Sequence, residues 1–272
     1  MKLKKEFKIY PSKAAGFFKN KRNLKILGLG IFLAISIGII GFLNYYNTPL
    51  MVGFIADIHA GDQKYRQEDE KNVIIPIDFE INLTKALREM GKVDLIIALG
   101  DNLNRPSRKN TKKLLEITKG YPMVWVKGNH DKLLHFNELL SKERYYYIDK
   151  KKWRIIVLDN SATYPDTTGI DDHGRGFIDQ EQLNWLKEKL KTDKKIIIAM
   201  HIPMFVPGNP GTIRKDYAYL EEIFVQSGNV KHIFSGHWHT YDNEIEKDGI
   251  VHHLIPSVSL EGGQGLYYKI EL

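Results

Sequence analysis

"VDLIIALGD", residues 93–101, is an apolar run closed by a glycine and an aspartate. The five consecutive apolar side chains at 95–99 leave no polar face. The run therefore reads as a strand covered on both sides, not one half exposed to water. The pattern recurs in "MVGFIAD" (51–57), "PMVWVKGN" (122–129), "WRIIVLDN" (153–160), "KIIIAMH" (195–201) and "KHIFSGH" (231–237). Between several of these lie amphipathic stretches. "FEINLTKALREM" (79–90) places Ile81, Leu83, Ala86, Leu87 and Met90 at helical intervals. "QEQLNWLKEKL" (180–190) does so with Leu183, Leu186 and Leu190, and "DYAYLEEIFVQSG" (216–228) ends at a glycine suited to a helix C-cap. "YDNEIEKDGIVHHLIPS" (241–257) and "LYYKIEL" (266–272) read as hairpin strands around a turn at 247–249. Strands alternating with helices, then an antiparallel ending, predict an α/β domain over 51–272 whose sheets lie between helices. The longest stretch without a pattern is the loop 160–176.

The formal charge of +7 is unevenly spread. Residues 1–50 carry nine Lys or Arg against the single acid Glu6, and the other 222 residues carry 31 basic and 32 acidic side chains. The domain thus has no electrostatic footprint for a polyanion, and no nucleic-acid polymer is expected as a partner. The tail's basicity is explained by "ILGLGIFLAISIGIIGFL", residues 26–43, which has no charge and only Ser36 as a polar side chain. As a helix it would be about 27 Å long, close to the ~30 Å hydrocarbon core. It is longer than a signal-peptide core, lacks a small-residue cleavage site after it, and is apolar on every face. The expectation is a basic cytoplasmic tail over 1–25 and a single uncleaved transmembrane signal-anchor helix over 26–43. By the positive-inside rule, the domain then lies on the outer face. The chain has no cysteine, so any metal must be held by imidazole, carboxylate or amide oxygen.

The decisive pattern is where the polar residues fall. Five apolar strands end in metal-competent groups: Asp57 and His59; Asp101 and Asn102; Asn129, His130 and Asp131; His201; His237 and His239. Loops are polar in general, which accounts for one Asp or one His. It does not account for the selection of Asp, His and Asn at five strand ends, where open α/β sheets place their ligands. Glycine precedes three of the clusters, allowing a sharp turn beneath a packed site.

The order Asp-x-His, Gly-Asp, Gly-Asn-His-Asp, His, Gly-His-x-His over residues 57–239 resembles the calcineurin-like metallophosphoesterase superfamily. "GFIDQEQLNWLKEKL" (176–190) looks like its cyclic-nucleotide-phosphodiesterase-like branch. The resemblance implies two packed mixed β-sheets flanked by helices and two divalent ions, Mn²⁺, Fe²⁺/Fe³⁺ or Zn²⁺. It implies Asp57, His59 and His239 on one ion, Asn129, His201 and His237 on the other, and Asp101 bridging both. A hydroxide shared by the ions would attack phosphorus in line. His130 would meet the substrate and protonate the leaving oxygen, Asp131 would hold the loop or orient that ring, and Asn129 and Arg105 would contact the phosphate. Trp238 would turn away into packing. Where the protein-phosphatase branch pairs this histidine with an acid, the chain has Asn104, which brings no charge. The implied function is hydrolysis of a phosphodiester in preference to a monoester, the substrate being small or surface-attached. The alternative is a catalytically silent scaffold, which usually lacks some of these residues. His252 and His253, adjacent on a strand, are expected to face opposite sides. His173 and Arg175 could shape the pocket, and Asp159 and Asn160 could support the ligands. The orientation is tested by a reporter fused after Leu272, expected to be active only outside the cytoplasm. Activity confined to the cytoplasm would reverse it.

Overall fold

The computed structural model describes residues 21–61, 78–104, 107–161, 176–206, 209–213, 217–239, 243–260 and 265–272. Arg105, His173, Arg175 and most of the 160–176 loop lie outside these residues. The chain divides into two units, 1–48 and 49–272. The first contains one helix, α1 (Lys21–Asn47), with large apolar side chains exposed around it. Leu29–Asn47 is long and apolar enough to cross a membrane. The helix contains the whole apolar run 26–43 and continues through Tyr45 and Tyr46, whose rings suit a lipid–water interface.

The second unit holds two sheets and a small hairpin. In the four-stranded sheet, β1 (Met51–Ile55), β2 (Leu95–Leu99) and β3 (Met123–Val126) run parallel, and β12 (Tyr268–Glu271) pairs antiparallel with β1. The six-stranded sheet has the order β10 (Asn243–Lys247), β11 (Ile250–Leu254), β9 (Val230–Ser235), β6 (Lys195–Ala199), β5 (Trp153–Val157), β4 (Tyr146–Lys150). Its four central strands are parallel and its edges antiparallel. A two-stranded ribbon, β7 (Phe205–Val206) and β8 (Asn209–Ile213), forms a separate sheet whose second strand lies beside β10.

Continuous apolar strands form because each sheet is covered twice. Between the sheets, Val52, Phe54, Ile97 and Val126 pack with Ile155, Val157, Ile197 and Phe234. The Phe54 and Phe234 rings stack with centroids 3.7 Å apart. The alternate residues Ile55, Ile96, Ala98 and Trp125 meet α2 (Phe79–Met90) through Leu83 and Leu87 and α3 (Arg108–Ile117) through Leu114. On the far side, Ile156, Ile198 and Ile233 meet α5 (Gln180–Lys189) through Leu186 and α6 (Ala218–Ser227) through Leu220 and Phe224. A short α4 (Leu133–Leu139) follows β3.

Two elements depart from the sequence expectation. The 266–272 strand does not extend the preceding hairpin; it crosses to the other sheet, where alternation puts Tyr268 and Ile270 against the core. Strand β4 carries the same one-sided pattern at an edge and pairs with β5 through the turn at Lys151, whose φ is 52°. It was hidden by its tyrosines and lysines, since an edge strand needs only one apolar face. Phe234→Ala removes the ring that joins the sheets. A loss of about 3–5 kcal/mol is expected, read as a lower denaturation midpoint in urea at unchanged slope.

Candidate metal centre

Parallel strands in both sheets send their carboxyl ends to one edge, and the polar residues converge there. Asp57 and His59 follow β1, Asp101 follows β2, Asn129 follows β3, His201 follows β6, and His237 and His239 follow β9. Two clusters result: Asp57, His59, Asp101 and His239; and Asp101, His201 and His237. Asp101 belongs to both.

The backbone reveals how tightly these side chains are aimed. Among described non-glycine residues, positive φ occurs at Asp57, His59, Asp101, His237 and His239, and otherwise only at Lys151 and Asp248 in hairpin turns. Such conformations cost about 1–3 kcal/mol each and persist where the surroundings impose them. Here hydrogen bonds impose them. Ser257 Oγ donates to the Asp57 carbonyl at 2.7 Å, Ser259 Oγ donates to the Ile58 carbonyl, and Ser257 N donates to the His239 carbonyl at 2.7 Å. His237 N donates to Asp57 Oδ2 at 2.9 Å, and His130 N to Asp101 Oδ1 at 2.8 Å. Asn160 Oδ1 accepts from the amides of His201 and Ile202, both at 3.1 Å. The supporting role of Ser257 and Ser259 went unseen in the sequence; their signal is a buried Ser-x-Ser just past a strand end.

Glycines supply room as well as turns. At Gly128 a Cβ would lie 2.0 Å from Asp101 N, so the third loop can approach the shared carboxylate only without a side chain. Gly100 has φ 89° and lies against the His201 ring, where a Cβ would come within 2.6 Å of Nδ1. The sharp-turn reason given for these glycines thus holds at Gly100, whereas at Gly128 the requirement is space.

The donor atoms face one another. His59 Nε2 is 3.3 Å from His239 Nε2, with Asp101 Oδ2 3.6 Å from the former and Asp57 Oδ1 3.4 Å from the latter. In the second cluster His201 Nε2 lies 3.0 Å from Asn129 Oδ1, 3.3 Å from Asp101 Oδ2 and 3.3 Å from His237 Nδ1. Asp57 Oδ1 is buried without an aligned hydrogen bond. Lone pairs converging in a buried, all-oxygen-and-nitrogen setting fit cations, and Asn129 extends the second cluster. Charge agrees. Burial works to raise the Asp57 and Asp101 carboxyls, but His239 and His201 respectively hold them below the ordinary range. Burial opposes the His201 imidazolium, yet Asp101 wins and pushes it up to about 9, so this carboxylate draws positive charge to the place where the ring meets it. Burial lowers His59 to about 3 and His237 to about 4, leaving both rings neutral with a lone pair free to donate.

His130 is aimed differently. Its side chain is 42% exposed, enough to meet a substrate, and Nε2 lies 3.9 Å from Asp101 Oδ2. Its Nδ1 is 3.3 Å from the main-chain carbonyl of Asn104, so the backbone rather than the Asn104 side chain orients the ring. Asp131 does not reach that ring. Its carboxylate accepts from Asn102 N, Asn102 Nδ2, Gly128 N and Leu103 N at 2.8–3.2 Å, fastening the β2 and β3 loops together. Burial, with the Asp101 charge adding to it, raises this carboxyl to about 6 against those donors. Trp238 is half-buried beside His237. His252 and His253 do face opposite sides: His252 toward Glu221 on α6, and His253 stacked on Phe234 in the core.

The family model for calcineurin-like phosphoesterases matches residues 50–241. The chain belongs to that family. Among curated proteins, it is 24% identical to a probable cyclic nucleotide phosphodiesterase of Fibrobacter succinogenes, over 78% of this chain and 81% of that one. It is 29% identical to a cAMP/cGMP dual specificity phosphodiesterase of Mycobacterium tuberculosis, over 59% of this chain and 54% of that one. A glycerophosphodiester phosphodiesterase of Enterobacter lignolyticus is 24% identical, over 59% of each. The fold resembles a dimetal phosphatase from Danio rerio with TM-score 0.66 at 13% identity, covering 82% of this chain and 92% of that one. The family fold of two mixed sheets flanked by helices is therefore the fold of this chain, and a metal-dependent phosphoester hydrolase is its family activity. Gly128→Ala should displace the Asp101 loop and cost about 1–3 kcal/mol of stability. Metal retained after dialysis should fall with it; unchanged metal content and midpoint would show that the loop has slack.

Proposed function

We propose that the chain is a membrane-anchored hydrolase of small phosphodiesters that works through two divalent metal ions. The observation that carries this reading is one buried carboxylate, Asp101, common to two groups of convergent ligands. Asp57, His59 and His239 would hold one ion and Asn129, His201 and His237 the other, with Asp101 available to both. An anion between two cations lowers their mutual repulsion, and the neutral Asn129 limits the centre's negative charge. Bound there, the ions would supply Lewis acidity to the phosphate oxygens and make water a stronger acid near neutral pH. Oxygen and imidazole donors without thiolate suit Mn²⁺, Fe²⁺/Fe³⁺ or Zn²⁺.

The chain's own groups do the rest. With Nδ1 donating to the Asn104 carbonyl, His130 keeps Nε2 on the open side for the proton that the leaving oxygen needs. Asp131 holds the loop that carries Asn129 and His130 in register with Asp101. Arg105, next to Asn104 in the sequence, could grip a phosphate through two parallel hydrogen bonds. The curated relatives with diesterase names support a diester over a monoester. The apolar span and nine cations before it support an anchor with the domain on the outer face. No ligand position has been lost, which weighs against a silent scaffold.

The test loads the purified full chain with Mn²⁺, counts metal, and compares an aryl phosphodiester with the matching monoester. About two ions per chain and a higher kcat/KM on the diester are expected. Asp101→Asn should cost more than the ~100-fold typical of losing a supporting residue around a metal. No bound metal and no turnover on either ester would leave the scaffold.

A further inference from the structure

The edge opposite the metal centre, where the parallel strands begin, gathers lysines around the point where the chain enters the domain. Only Thr48 separates the end of α1 from Pro49. The Pro49 carbonyl accepts from Lys151 Nζ at 2.6 Å, and Lys151 also pairs with Asp94 at 3.1 Å. Lys151 sits in the β4–β5 turn between Lys150, whose Nζ donates to the Asp94 carbonyl, and the exposed Lys152. Beside that turn, Lys194 Nζ donates to the Lys151 carbonyl at 2.8 Å, and Lys195 N to the Lys152 carbonyl at 3.0 Å. The surface continues into a groove of about 310 Å³ between the C-terminal ends of α5 and α6, where Lys187 and Lys191 flank Leu190 and Ile223. Among these seven lysines stand Arg154, paired with Asp149, and the acids Asp94, Asp149, Glu188, which pairs with Lys191 at 2.6 Å, Asp193 and, at the end of β12, Glu271. The rest of residues 51–272 then carries 23 basic and 27 acidic side chains, so a near-neutral domain is polarised with its positive side at Pro49.

We infer that this edge rests on anionic lipid headgroups, so that the metal centre faces away from the bilayer and takes its substrate from the aqueous side. The inference depends on the anchored reading above, because the span is what brings Pro49 to a membrane. Asp57 lies six residues beyond Met51 along β1, about 20 Å at strand rise. That exceeds the ~10 Å screening length at 0.1 M salt, so an anionic surface at Pro49 would act on the lysine edge and not on the catalytic one. A diester still embedded in the same leaflet would be out of reach; a dissolved one would not.

The absence of cysteine allows single labels in the full chain, reconstituted in vesicles. Glu181→Cys and Lys191→Cys mark the second residue of α5 and the second residue past its C-terminal end, about 15 Å apart at helical rise. With quencher-headgroup lipids in phosphatidylglycerol-containing vesicles, the Lys191→Cys label should be quenched several-fold more than the Glu181→Cys label. The difference should shrink in phosphatidylcholine alone, and in 0.5 M salt, where screening shortens to about 4 Å. It should also shrink in a Lys150→Gln, Lys152→Gln, Lys194→Gln, Lys195→Gln variant that still hydrolyses a soluble diester at the parent rate. Equal quenching of the two labels, or a difference indifferent to lipid charge and salt, overturns the inference while leaving the anchor intact. A chain extracted from the vesicles by carbonate removes the anchor and the inference together.

Discussion

A shared buried carboxylate sets the terms for the domain. Asp101 can belong to both side-chain clusters only if β1, β2, β3, β6 and β9 all end at one edge and their loops come within hydrogen-bond distance of one another. The left-handed backbone at five residues of the two clusters is the local cost of that convergence. It is offset by a scaffold that leaves little freedom: Ser257 and Ser259 hold the first loop, Asp131 ties the second to the third, and Asn160 holds the fourth. The apolar strands below supply the rigidity, being packed on both faces by three continuous cores.

This division of labour decides how much could be read from the sequence. The strands were readable because burial on both faces forces unbroken apolar runs, and the ligand candidates because metal-competent side chains at five strand ends are hard to explain otherwise. Sequence could say that Gly128 is needed but not why, since the Asp101 amide that would meet its Cβ belongs to another loop. Asn104 illustrates the same limit. Its side chain looked like the relevant difference, yet its backbone carbonyl does the orienting, a role any residue could fill.

Other features were out of reach because their partners are distant in the chain. Strand 266–272 alternates as an edge strand should, but nothing local tells which sheet it joins; its partner, β1, lies more than two hundred residues earlier. Strand β4 was masked by its polar face. The serines past β11 look like ordinary loop residues until the carbonyls they cap, around residues 57 and 58, are brought beside them.

The pairing of β12 with β1 has a mechanical side. Leu50 and Leu272 exchange backbone hydrogen bonds at 2.8 and 3.0 Å, and the ladder continues from Met51 to Phe54. A pull entering through Pro49 along β1 acts across these bonds and those to β2 at once, loading them in shear rather than peeling them one by one. The first strand therefore works as a clasp: tugging at Pro49 must break a whole row of bonds before it can disturb Asp57.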